Sequence, residues 1–80
     1  MKTKQTYIDN YPSRDEKTEE LIFNFIKDRE DYGVNVFMQN LKLYAEDKKI
    51  SEHKLNSALK HLLKAKKISK DFNGEYFILK

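Results

Sequence analysis

The feature that most constrains the fold is the carboxyl-terminal segment KISKDFNGEYFILK, residues 67–80. Its Asn73-Gly74 pair lies between two short runs of alternating apolar and polar residues, which is the strongest short-range signal for a β-hairpin. A two-residue loop at this pair would fix the register of the two strands. In that register Lys70 lies opposite Phe77.

The same register sorts the apolar side chains of the hairpin between its two faces. We predict that one face closes the core and consists of Ile68, Phe77 and Leu79. The opposite face would carry Tyr76 and Ile78, which would then be free to contact something other than the core.

The bulk composition limits both the size of the core and the class of protein. Eighty residues form one domain, and because only 39% of them are apolar, the core is thin. Cysteine is absent, which excludes a disulfide framework and a thiolate zinc site. No run reaches the roughly 18 apolar residues of a membrane span, and the first residues lack the apolar block of a signal peptide. We therefore expect a cytoplasmic protein that binds no membrane, metal or cofactor.

The amino-terminal part of the chain reads as a polar arm followed by a helix. The arm is expected over residues 1–12 and a single folded domain over residues 13–80. Ser13 and Glu16 fit a capping box, which favours a first helix over residues 14–29. Its apolar stripe consists of Leu21, Ile22, Phe25 and Ile26.

A second helix is predicted over residues 36–47. Gly33 precedes it and is expected to end the first helix in a left-handed conformation. The GVNV segment, residues 33–36, is β-branched enough to form a brief strand. The apolar stripe of the second helix consists of Phe37, Leu41, Tyr44 and Ala45.

The third predicted helix is the most polarised segment of the chain. It is expected over residues 52–65, and Ser51 is a favoured N-cap for it. Its apolar side consists of Leu55, Ala58, Leu59, Leu62 and Leu63. The opposite side carries no acidic residue and consists of His53, Lys54, Ser57, Lys60, His61 and Lys64, with Asn56 at its edge.

Charge is distributed unevenly along the chain. Residues 1–50 hold nine Lys and Arg against ten Asp and Glu, whereas residues 51–80 hold seven Lys against three acids. The carboxyl-terminal part therefore has a net charge of +4, although the whole chain has only +3. A basic region of this kind indicates a polyanionic partner, and the alternative is a solvated lysine surface.

The order helix, short strand, helix, turn, helix and hairpin resembles that of the winged helix-turn-helix superfamily of DNA-binding domains. The resemblance covers about residues 14–79 and includes apolar positions around the third helix and the wing. Those positions are Ile50-Ser51, Ala58-Leu59, Leu62, Ile68, Phe77 and Leu79. The resemblance implies a mainly α fold with a small antiparallel β-hairpin (an α+β class), in which three helices are followed by a carboxyl-terminal wing.

Two positions depart from the superfamily pattern. Near the end of the third helix, where the superfamily often has glycine, this chain has Lys66. A left-handed non-glycine residue costs about 1–2 kcal/mol, so the sequence predicts another kind of ending for that helix. The turn before the third helix also lacks glycine, and Asp47 or Lys48 is expected to take its place.

The resemblance implies that the protein binds double-stranded DNA as a transcriptional regulator, with the third helix in the major groove and the wing beside it. That helix has no arginine, the residue that most often reads guanine. We therefore expect phosphate-dominated binding, limited base readout and a preference for AT-rich shape. The residues predicted to contact DNA are His53, Lys54, Asn56, Ser57, Lys60, His61, Lys64, Lys66, Lys67 and Lys70.

Several apolar side chains fall outside the predicted core, and either the arm or a second copy in a homodimer would cover them. They are Tyr7, Ile8, Tyr11, Phe23, Leu43, Tyr76 and Ile78. They also fit an alternative function, in which the fold binds a protein, for example as a phage or mobile-element inhibitor of a nucleic-acid enzyme.

Catalysis is not expected from this sequence. His53 and His61 are eight residues apart, which on one helix is too far for a shared metal without further ligands. The chain also has no glycine-rich phosphate loop, and none of its serines has a nearby histidine that is a plausible base for it.

Overall fold

The computed structural model describes residues 15–79, which form three α-helices followed by a two-stranded antiparallel hairpin. The elements are α1 (Glu16–Asp31), α2 (Met38–Asp47), α3 (Glu52–Lys64), β1 (Ile68–Lys70) and β2 (Tyr76–Ile78). The prediction of a mainly helical α+β chain with a carboxyl-terminal hairpin is confirmed. The predicted arm, residues 1–12, lies outside the described residues. None of the three helices has the length and apolar character needed to cross a bilayer.

The first helix begins with Asp15 as its N-cap. The Asp15 carboxylate accepts a hydrogen bond from the Thr18 N–H over 3.1 Å. Ser13, the predicted cap, lies outside the described residues, and its assignment is wrong because the helix starts at Glu16. Asp caps as well as Ser does, and its charge also interacts favourably with the positive end of the helix dipole.

All three helices end in the same hydrogen-bonded arrangement, the Schellman motif. At the end of α1, the Gly33 N–H donates to Glu30 O over 2.9 Å and the Val34 N–H donates to Arg29 O over 2.9 Å. Gly33 has φ +76°, so the predicted left-handed terminator is confirmed. The last residue of α1 is Asp31, two residues beyond the predicted end.

The other two helices achieve the same ending with lysine in the left-handed position. Lys49 has φ 59° after α2, and Lys66 has φ 61° after α3. The expectation that Asp47 or Lys48 would take this role was wrong, and so was the expectation that α3 would end in another way. The two Schellman hydrogen bonds, from the N–H groups of Lys66 to Leu63 O and of Lys67 to Leu62 O, are each 3.0 Å; bonds of this kind offset the backbone strain of a left-handed lysine.

Val36 was predicted both to end a brief strand over residues 33–36 and to begin the second helix; it lies outside α2, and its pairing with β2 is in line with the first prediction. It forms an isolated antiparallel bridge with Tyr76, whose N–H donates to Val36 O over 2.8 Å. The helix therefore starts only at Met38, and Phe37 becomes its N-cap residue. The Phe37 N–H is satisfied by Asn40 Oδ1 at 2.8 Å, while the Phe37 side chain lies partly exposed instead of in the core.

The hairpin differs by one residue from the predicted register. Its pairs are Ile68 with Ile78, Ser69 with Phe77 and Lys70 with Tyr76. The loop has three residues instead of two, because Asp71 faces Glu75 and donates its N–H to Glu75 O over 3.0 Å. A shift of one residue moves every side chain to the opposite face.

The predicted faces of the hairpin are therefore exchanged on β2. Tyr76 is only 4% exposed and Ile78 is partly buried against the core, whereas Leu79 is 42% exposed. Ile68 is buried as predicted. The buried core consists of Ile22, Ile26, Val36, Leu41, Ala45, Leu55, Ala58, Leu59, Leu62, Ile68 and Tyr76.

Candidate nucleic-acid interface

The polar side of α3 consists of a solvent-facing stripe and a flank that lies against α1. The stripe has helical spacing of four, three and four residues, and three of its side chains are exposed while Ser57 is half-buried. Ser51 Oγ caps the helix by accepting from the Lys54 N–H over 3.1 Å, as predicted. The residues of this solvent-facing stripe are His53, Ser57, Lys60 and Lys64.

The flank of α3 carries Lys54 and His61, and each lies beside a carboxylate of α1. Lys54 Nζ is 3.5 Å from Asp15 Oδ2. The hydrogen bonds from Thr18 to the Asp15 carboxylate, with a smaller contribution from Lys54, hold the pKa of Asp15 below its ordinary value. The capping carboxylate of α1 thus also orients a basic residue of α3.

His61 lies on the same flank, one turn along α1 from that pair. Its Nδ1 is 3.1 Å from Glu19 Oε2, and the side chains are 27% and 7% exposed. The oxygen lies at hydrogen-bond distance, but the geometry does not satisfy a hydrogen bond from Nδ1. The contact is therefore an ion pair when the imidazole is protonated. His61 belongs to the α1–α3 interface as well as to the polar side of α3.

Asn56 and the first turn of α3 border the stripe on its other side. Asn56 is exposed. Glu52 Oε2 lies 3.6 Å from Lys42 Nζ of α2, so the single acidic residue in this turn is paired with a cation of the neighbouring helix.

The predicted wing residues Lys66, Lys67 and Lys70 are all exposed. Lys67 O accepts the Leu79 N–H over 3.0 Å, which fixes the base of the hairpin. Lys70 Nζ lies 5.6 Å from the centre of the Tyr76 ring. The structure thus brings these lysines to the segment that directly follows α3.

Lysines of this region differ in whether a carboxylate neutralises them. Lys54 is paired. In the part of the chain that the structure describes, no carboxylate lies within ion-pair distance of the others. The unpaired set consists of Lys60, Lys64, Lys66, Lys67 and Lys70.

The residues predicted to form a protein interface are scattered. Tyr76 is buried and Ile78 and Phe23 are packed against the core, so the assignment of Tyr76 and Ile78 to a free face was wrong. Leu43 is 58% exposed. Tyr7, Ile8 and Tyr11 lie outside the described residues.

Two features of this region were not anticipated from the sequence. The carboxylates of Asp15 and Glu19 lie against one flank of α3; the concentration of acids at the start of α1 was the only signal for this. Phe72, at the tip of the hairpin, is 98% exposed. The hydrogen bonds that close the turn are accepted by the Asp71 side chain, so the Phe72 side chain takes no part in them.

Comparison with models of known protein families, with curated proteins and with solved structures gave no match. Within residues 15–79, no three His, Asp or Glu side chains come together in a way that could hold a metal ion. What the described region presents to solvent is a set of exposed lysines on α3 and the hairpin.

Proposed function

We propose that this protein is a small duplex-DNA-binding protein of the winged-helix type, acting in transcriptional regulation. The observation that carries the proposal is the selective pairing of the lysines. Within residues 15–79, Lys54 on the α1 flank of α3 is paired with a carboxylate, whereas Lys60, Lys64, Lys66, Lys67 and Lys70 are not. Such lysines favour contact with DNA phosphates, because the contact releases counterions from the DNA and breaks no ion pair among the described residues.

The arrangement supports positioning on the DNA backbone more than base readout. Lysine is a flexible point charge and lacks the planar fork with which arginine reads guanine. Besides its two lysines, the solvent-facing stripe offers His53 and Ser57 as groups that can hydrogen-bond base edges. We therefore propose contacts that are mainly to phosphates, with α3 in the major groove and the hairpin against the neighbouring backbone.

The test is a fluorescence-anisotropy titration of the full chain against a labelled duplex at several salt concentrations. Five phosphate contacts give a slope of log K against log salt of about −4 to −5. The double variant Lys60→Glu/Lys64→Glu should abolish binding near physiological salt and leave the helical circular dichroism unchanged, since both side chains are exposed.

A matched control has the same change in charge at a different place. Lys27 and Lys48 are exposed residues of α1 and of the turn after α2, and Lys27→Glu/Lys48→Glu should retain most of the affinity. Equal losses in the two double variants would show that only net charge matters. Absence of binding by the unaltered protein at low salt would overturn the proposal.

A protein-binding function is the second candidate, and one observation favours it. Val34 and Leu43 are 46% and 58% exposed and line an open cleft of about 320 Å³ together with Phe25 and Tyr44. The two aromatic rings are stacked with their centres 4.3 Å apart. A homodimer or another protein would cover this cleft. Sedimentation of the unaltered protein and of a Leu43→Glu variant shows whether the protein associates with itself through this cleft or is a monomer.

A further inference from the structure

Phe72 is the most exposed large apolar side chain in the described part of the chain, at 98%, followed by Tyr32 at 76%. The fold does not require an aromatic residue at this position. Gly74, with φ +91°, supplies the left-handed conformation of the loop, and Asp71 supplies its hydrogen bonds. Phe72 therefore contributes little to the core and takes no part in the hydrogen bonds that close the turn, so its ring is available for a contact outside the chain.

The loop that carries Phe72 is held rigidly. Asp71 Oδ1 accepts hydrogen bonds from the N–H groups of Asn73 and Glu75, each over 2.9 Å. Asp71 O also accepts from the Gly74 N–H over 3.0 Å. A side chain on such a preorganised loop binds at a small cost in conformational entropy.

The surroundings of Phe72 favour nucleic acid over a protein pocket. Aromatic anchors of protein interfaces lie within an apolar patch that excludes water, whereas the neighbours of Phe72 in the loop are polar. Asn73 is exposed beside it, and Lys70 is exposed on the strand that leads to the tip. The Asp71 carboxylate is already engaged by two N–H donors, which lowers its repulsion of a phosphate.

We propose that Phe72 is a wedge that enters between two base pairs from the minor groove, with Asn73 donating hydrogen bonds to the acceptors of an A·T pair. This inference depends on the DNA binding proposed above and adds a source of sequence preference to it. Apolar wedges unstack a base step and kink the duplex by roughly 20–90°. Flexible pyrimidine–purine steps such as TA kink most easily, so the preference should be for duplexes that contain one.

The experiment uses the full chain and two duplexes that differ only in a central TA or GC step, with a fluorophore at each end. We expect the unaltered protein to bring the ends of the TA duplex closer together and to bind it about tenfold more tightly than the GC duplex. Phe72→Ala should lose both the bend and the preference while keeping the salt slope. Phe72→Leu, which keeps an apolar wedge, should retain part of both.

Tyr32→Ala is the matched control, because it removes an exposed aromatic ring from the end of α1 and should change neither quantity. If the protein binds DNA in a salt-dependent way, and Phe72→Ala shows the same bend and the same preference as the unaltered protein, the wedge is overturned while the proposal of DNA binding stands. Absence of DNA binding by the unaltered protein would overturn both.

Discussion

Glu19 of α1 and His61 of α3 lie 3.1 Å apart, and both side chains are largely withdrawn from solvent. Their contact links α1, which contributes Ile22 and Ile26 to the core, to the helix proposed to meet DNA. Truncating His61 would remove this contact and the packing of the imidazole against α1.

We expect His61→Ala to lower the free energy of unfolding by about 1–2 kcal/mol. Urea unfolding followed by circular dichroism measures this. His53→Ala is the control, because His53 lies on the same helix but is exposed, and its effect should stay within about 0.5 kcal/mol. Equal effects of the two substitutions would contradict a structural role for the Glu19 contact.

Substitution of the left-handed lysines at the ends of α2 and α3 is expected to raise the stability instead of lowering it. Replacing Lys66 by Gly should raise the stability by about 0.5–1 kcal/mol, because glycine adopts a positive φ without steric strain. Lys49→Gly should act in the same direction. In contrast, Lys60→Gly in the interior of α3 should lower the stability by about 1 kcal/mol. Thermal unfolding of the three variants compares them directly, and a loss of stability in Lys66→Gly would argue against the φ of 61°.

The observed register of the hairpin predicts which of its side chains matter for folding. Tyr76→Ala should lower the free energy of unfolding by about 3–5 kcal/mol, since it empties a buried aromatic position. A loss of this size is a large part of the total stability of a small domain. Leu79→Ala should cost less than about 1 kcal/mol, because Leu79 is already 42% exposed. The reverse order of effects would be the signature of the register with Ile68 opposite Leu79.

Stability should depend on pH through Asp15. Its pKa is lowered in the folded protein by the cap hydrogen bonds with Thr18 and by Lys54. The stabilisation from its charge is therefore fully present above the ordinary value of 3.8 and disappears as the pH falls through the lower pKa of the folded state. Asp15→Asn, which keeps a capping oxygen, should be less stable than the unaltered protein at neutral pH and indistinguishable from it in strong acid. A constant difference across this range would contradict the expectation.

The elements of the fold could be predicted from the sequence because each has a local signal. The apolar stripes of α1 and α3, the Ser51 cap and the Gly33 terminator all depend on residues within one or two turns of each other. The predicted register of the hairpin was wrong for an equally local reason, which the preference of Asn-Gly for two-residue loops does not take into account. The Asp71 side chain competes for the N–H groups of the loop, and this selects a loop of three residues over the type I′ turn that Asn-Gly favours.

The candidate interface was only partly accessible to sequence reasoning. Periodicity identified the polar side of α3, but it treats all residues on that side alike. Which flank lies against the acidic start of α1 depends on how the two helices pack. That packing decides that, among residues 15–79, Lys54 and His61 meet carboxylates while Lys60 and Lys64 do not.

The bridge between Val36 and Tyr76 joins positions 40 residues apart in the chain. The segment it encloses contains α2, α3 and β1, so the contact forms only when these elements bring Tyr76 back beside Val36. Contacts of such long sequence separation slow folding. They also make the helices and the hairpin one cooperative unit: a chain released before Tyr76 is synthesised would leave Val36 and the surrounding core uncovered, and the three helices alone would not persist as a folded fragment.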